Sequence, residues 1–174
     1  MSHRLATVAS SSTLTVSGTS TLHDWQLTAR RMTGHAALPA SPAPGTRLTD
    51  VEVRVAIEDL EASGGLPMMI KLRDVLKSKH FSSIAVIIEA TEPFNEVGDS
   101  LRASGAATLH VAGARHQVTL DAQLMPHAED TLRLKGEHRL SLRALGLKPP
   151  TAFFGQLKTG DAVTVVFSID FTPS

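Results

Sequence analysis

The stretch from Leu101 to Leu124, "LRASGAATLHVAGARHQVTLDAQL", alternates apolar and polar side chains on both sides of "AGAR" at 112–115. Its first half sets Leu101, Ala103, Gly105, Ala107, Leu109 and Val111 on one side, opposite Arg102, Ser104, Thr108 and His110. Its second half sets Val118, Leu120, Ala122 and Leu124 against Thr119, Asp121 and Gln123. A spacing of two sends alternate side chains to opposite faces of a strand, so the stretch reads as a β-hairpin with one apolar face.

The same spacing runs outward through most of the chain. "VEVRVAI" gives Val51, Val53, Val55 and Ile57, and "LRLKGEHRL" gives Leu132, Leu134, Gly136, His138 and Leu140. "VTVVFSIDF" gives Val163, Val165, Phe167, Ile169 and Phe171. With "TLTVSG", the segment from Trp25 to about His35, and "IAVIIEA", eight strands are expected, parted by Gly, Pro, Asp and Ser turn signals. The Pro-rich "PASPAPG" at 39–45 is a longer loop. Eight antiparallel strands can close and abolish their edges, which favours an all-β antiparallel eight-stranded barrel over an open sandwich.

One stretch departs from this period. "LPMMIKLRDVLKSKH" at 66–80 places Met69, Leu72 and Leu76 at helical spacing, with Met68 and Val75 beside them and Pro67 near the start. A single amphipathic helix is expected there, inserted between the third and fourth strands and covering an open end or a nearby wall. The whole chain, 1–174, reads as a single domain.

Composition narrows the function. Lys plus Arg and Asp plus Glu both number 17, with no long run of one sign, so neither nucleic acid nor an anionic membrane is an expected partner. There is no cysteine, which removes disulfides, thiolate catalysis and Cys-based metal sites. The opening "MSHRLATVASSSTLTV" holds no apolar run long enough for a signal-peptide core, and no segment approaches the ~20 apolar residues of a membrane span. A soluble chain is expected, without a transmembrane segment.

Three stretches carry candidate site residues. His23 and Asp24 adjoin Trp25, the sole Trp in a chain without Tyr. Either they anchor a ligand's head group beside an indole wall, or they form a turn at the mouth of the second strand while Trp25 closes one barrel end. Met68, Met69, Leu72, Leu76 and Phe81 line an apolar path or simply pack the helix on the barrel. In "LKPPTAFFGQLKTGD", Phe153 and Phe154 would face opposite sides of a strand, and Lys148 and Lys158, with Lys71 and Arg73, either meet a phosphate or are solvated. The small inward residues Ala103, Gly105, Ala107, Ala122 and Gly136 would leave the barrel incompletely filled.

Enzymatic signatures are weak. His110 and His116 are separated by the hairpin turn, no HExxH spacing occurs, and neither "TGD" nor "SGTS" is a nucleophile elbow or a phosphate loop. No cofactor, metal or catalytic residue is assigned.

Four stretches together resemble the YceI-like family: "TLTVSGTSTLHDW" at 13–25, "KLRDVLKSKHFSSIAVII" at 71–88, "LHVAGARHQVTL" at 109–120, and "LGLKPPTAFFGQLKTGDAVTVVF" at 145–167. The resemblance spans about Thr7 to Thr172, with Ser83 where the family often has Pro. It implies a lipocalin-like barrel that binds or carries a polyisoprenoid or fatty-acyl lipid without catalysis, in the periplasm or secreted, although the absence of a leader leaves the cytoplasm open. A homodimer is allowed. The alternatives are a protein-interaction or stress-related module with a filled barrel and, below it, a lipid-acting enzyme using His23 and Asp24.

Overall fold

The computed structural model describes residues 4–21, 24–63, 66–128, 130–149, 151–152 and 157–173. Within them the strands are β1 (Arg4–Val8), β2 (Thr13–Ser20), β3 (Trp25–Ala29), β4 (Met32–Leu38), β5 (Thr49–Ala56), β6 (Leu60–Ala62), β7 (Ser83–Ala90), β8 (Asn95–Val97), β9 (Ser100–Val111), β10 (Ala114–Ala128), β11 (Thr131–Ser141), β12 (Thr151–Ala152) and β13 (Leu157–Pro173). The helix α1 is Leu66–Val75, between β6 and β7.

These pieces form a closed antiparallel barrel of eight staves. β1 with β2, β3 with β4, and β5 with β6 are interrupted staves; β7, β9, β10, β11 and β13 complete the ring in chain order. Closure comes from β13, which pairs with β1 through Val8↔Phe171 and with β2 through Val16↔Val165.

The interruptions correct the expected single strand from Trp25 to His35. β3 buries Trp25, Leu27 and Ala29, whereas β4 buries Ala36 and Leu38, so the inward parity changes between them. Arg30 and Arg31 are both exposed at the break, and the extra residue bends the stave as a bulge does. The 3-10 turn Ile57–Asp59 makes the same parity change between β5 and β6, where Ile57 and Leu60 are both buried.

The helix is shorter than the 66–80 expected, because Lys77 has a left-handed φ of 55°. Ser78 N–H donates to Arg73 O at 2.9 Å and Lys77 N–H to Asp74 O at 3.1 Å, the paired bonds of a Schellman cap. The β9–β10 turn is as tight as expected. Val111 faces Ala114, and both turn residues have positive φ, 49° at Ala112 and 81° at Gly113, which matches the twist of the flanking strands.

The core divides along the barrel. One end is packed by Phe94, Phe171, Leu48, Leu124, Leu132 and their neighbours, with Phe94 held between loops by bonds from its N–H to Thr46 O and to its carbonyl from Gly45 N–H, both 2.8 Å. The other end gathers Trp25, Leu27, Leu60, Leu109, Val111 and Val163 beneath Met69, Leu72 and Leu76 of the helix and the turn after it.

Candidate functional site

Between those ends lies a cavity of about 240 Å³. Its wall comes from the inward faces of all eight staves: Val16 and Leu14, Trp25 and Leu27, Val51 to Val55, Val86 and Ile88, Gly105 and Leu109, Val118 to Ala122, and Leu134 to Leu140 all contribute, as does β13 through Val163 to Ile169. Leu72, Val75 and Leu76 roof it from the helix side, and Leu145 and Leu147 reach in from the turn after β11. Apart from the Trp25 indole, the polar side chains on this wall among the described residues are Thr91 and His138. Thr91 is satisfied, its Oγ1 accepting from Leu48 N–H at 3.0 Å.

Trp25 is 6 % exposed and forms part of the wall. Its Nε1–H donates to Thr19 O at 3.1 Å, which satisfies the one polar atom of a buried indole. The ring lies across Gly18, its partner on β2. A Cβ at Gly18 would fall 2.3 Å from ring carbon Cζ2, so glycine is needed there for close approach. Asp24 is exposed at the edge of this wall, and His23 lies outside the described residues.

The other candidates separate. Leu72, Leu76, Ala103 and Gly105 reach the cavity. Met69 is buried in the apolar cluster under the helix and Ala107 is completely buried in the packed end, neither of them on the wall. Phe81 also stays off the wall: it is 39 % exposed, and its ring covers Gly113 at the hairpin tip, because its N–H is tied to Lys77 O at 3.0 Å in the turn leaving the helix. Phe153, Phe154 and the side chain of Met68 lie outside what is described. Nor does Gly136 leave a vacancy, since the Phe167 ring fills the space above it, 2.6 Å from where a Cβ would stand.

Sequence reasoning passed over several contributors, Leu60, Thr91 and Leu142 among them. Leu145 and Leu147 sit in a short turn with no alternating neighbours to mark them. His138 was already in an inward period-two series, yet a lone histidine among leucines carries no motif. Among the described residues the His138 side chain makes no hydrogen bond, and on β10 the Nε2 atom of His116 is buried without a partner. No three His, Asp or Glu side chains among them gather as a metal site, and no helix is long and apolar enough to cross a membrane.

An eight-stranded up-and-down barrel closed on an apolar cavity, with one helix over an end, defines the lipocalin-like class. No protein-family model matches the sequence, and no curated protein matches it. Solved structures do. A polyisoprenoid binding domain from Saccharophagus degradans, implicated in plant cell wall breakdown, superposes with a TM-score of 0.72 at 11 % identity, covering 99 % of both chains. Burkholderia cenocepacia BcnA gives 0.69 at 10 % identity over 94 % of this chain and 98 % of that one. A Campylobacter jejuni YceI protein gives 0.63 at 11 % identity over 83 % and 82 %. The fold is the lipocalin-like YceI fold.

Proposed function

We propose that this protein binds and carries an apolar, chain-like ligand, a polyisoprenoid or fatty-acyl lipid, inside its barrel and without covalent chemistry. The observation that carries this reading is the cavity itself: about 240 Å³ enclosed almost wholly by aliphatic and aromatic side chains. Empty apolar space of that size forfeits the dispersion contacts that a packed interior would make, and a hydrocarbon chain restores them. The volume lies just under the ~300–1,000 Å³ of common ligand pockets, which suits a narrow chain better than a fused-ring molecule. The likeness to a domain described as polyisoprenoid-binding supports the same ligand class.

The wall's chemistry supports binding without catalysis. Among the described residues on the wall the one imidazole is that of His138, no carboxylate accompanies it, and the Thr91 hydroxyl oxygen already accepts from Leu48 N–H. Trp25, Leu72, Leu76, Ala103 and Gly105 are the proposed contact residues. Carriage in the periplasm, or outside the cell, and a homodimeric state belong to the same proposal. Native mass spectrometry of purified protein, followed by organic extraction, tests it: a co-purifying lipid of defined mass is expected. Repeated recovery of lipid-free protein that also fails to take up added polyisoprenoid would instead favour a barrel whose loops serve protein contacts.

A further inference from the structure

The chain is balanced in charge as a whole, with 17 basic and 17 acidic side chains, but not locally. From Leu66 to Ser82, the helix and the turn that leaves it, Lys71, Arg73, Lys77 and Lys79 accompany a single acid, Asp74. Backbone bonds fix that turn: Ser78 N–H donates to Arg73 O at 2.9 Å, and the N–H groups of His80 and Phe81 both donate to Lys77 O at 3.0 Å. Lys77, Lys79 and His80 are thereby held exposed, and the Phe81 ring is laid over Gly113 at the tip of the β9–β10 hairpin. Arg115, exposed two residues beyond that glycine, adds a fifth cation. The acids Glu58, Asp59 and Glu61 lie where the helix begins, beside β6 and its partner β3, and Glu61 is 3.8 Å from Arg30. The cations gather where the helix ends.

Two large apolar side chains stand exposed in this basic patch. Phe81 is one. The other is Ile70, 53 % exposed because Met69, Leu72 and Leu76 turn the opposite face of the helix into the barrel. Apolar side chains ringed by cations unite the two attractions that bring a protein to an anionic bilayer. One is burial of apolar surface at the headgroup boundary, and the other is Coulomb attraction worth roughly fivefold in affinity for each Lys or Arg near the surface. The other face of the same helix, through Leu72, Val75 and Leu76, roofs the cavity, so a bilayer met here would lie over the space that takes an apolar chain.

We propose that the outer face of α1, the turn to Phe81 and the β9–β10 hairpin tip form a docking face for an anionic lipid bilayer. Ile70 and Phe81 enter the headgroup layer, and Lys77, Lys79 and Arg115 meet lipid phosphates. The choice of a bilayer over an acidic protein rests on the lipid-binding reading, but the docking itself requires no ligand in the barrel.

Flotation at neutral pH, without added ligand, tests this with vesicles of phosphatidylcholine alone and of phosphatidylcholine mixed equally with phosphatidylglycerol. The protein is expected to float with the anionic vesicles, not with the neutral ones, and to be released as salt is raised. Lys77→Gln combined with Lys79→Gln should weaken binding at least about tenfold. Arg31→Gln combined with Arg102→Gln removes the same charge from exposed sites away from this face and should leave binding unchanged. Ile70→Ser should weaken binding several-fold and make the remainder more sensitive to salt. Unaltered emission from the buried Trp25 shows that each variant is folded. Indifference to anionic vesicles, equal losses in the two double variants, or no effect of Ile70→Ser would each overturn the docking face, while the cavity's ligand stands or falls by the extraction experiment.

Discussion

Two residues set most of the chemistry at the smallest scale. Trp25 is held by its bond to Thr19 O and by the absence of a side chain at Gly18, so its ring is positioned before any ligand arrives. Its emission is expected to be blue-shifted and slow to quench, and Trp25→Ala should weaken ligand binding by about 1–3 kcal/mol through lost apolar contact and incomplete collapse. Isothermal titration with farnesol measures this. The second residue, Asp170, is fully buried on β13. Burial pushes its carboxyl up, but hydrogen bonds from Arg133 and Ser11 together with the charges of Arg133 and His127 outweigh this and hold it below the usual carboxylate range. Arg133 grips it through two nitrogens at 2.8 and 3.0 Å, Ser11 Oγ at 2.6 Å, and Ala9 N–H bonds to Asp170 O at 2.7 Å. This clasp fastens the β1–β2 break to the closing strand. Because the folded-state pKa is lowered, its stabilisation is present above the unfolded carboxylate pKa of about 3.9 and is lost as pH falls through the lower folded value. Asp170→Asn should therefore flatten the acid limb of stability below pH ~4. At neutral pH it should cost about 3 kcal/mol, the low end for a broken buried pair, since Arg133 keeps 26 % of its side chain exposed. Urea unfolding across pH reads both effects.

At the scale of elements, the strands were legible because each has one buried face, and a period of two survives any register. The hairpin at Ala112–Gly113 was legible because glycine accepts the positive φ that the turn demands. The breaks at Ala9–Ser12, Arg30–Arg31 and Ile57–Asp59 were not, since a bulge inserts a residue without changing composition. The helix end was hidden for a related reason: its cap places Lys77, not glycine, in the left-handed conformation. That residue bears the strain of an L side chain at positive φ. Lys77→Gly should thus stabilise the fold by about 0.5–1 kcal/mol, the relief being partly offset by the greater freedom of the unfolded chain. A shift of the urea midpoint to higher concentration with unchanged slope would bear this out, and a lower midpoint would contradict it.

For the whole molecule, alternation at eight places favoured a closed barrel over a sandwich, but it did not establish how full the barrel is. Small inward residues pointed to space, and their fates diverged. Ala103 and Gly105 border the cavity, Ala107 is lost in the packed end, and Gly136 is covered by Phe167. Packing across the barrel decides such outcomes, because the volume at one position is set by side chains from staves far away in sequence. One polar residue on the wall, His138, was visible in the series yet unremarkable until the surroundings proved to be apolar. The account's central claim is that a chain-like ligand lies in the space between the Phe94–Phe171 end and the helix roof. The most direct measurement is a methyl-resolved NMR titration with farnesol. The account predicts shifts and ligand contacts at the methyl groups of Leu72, Val86, Leu109 and Val163, which line the cavity, with those of Leu48 and Leu132 in the packed end little changed. Ligand contacts confined to exposed side chains such as Leu5, Ile70 and Val166, with the cavity methyls undisturbed, would contradict it.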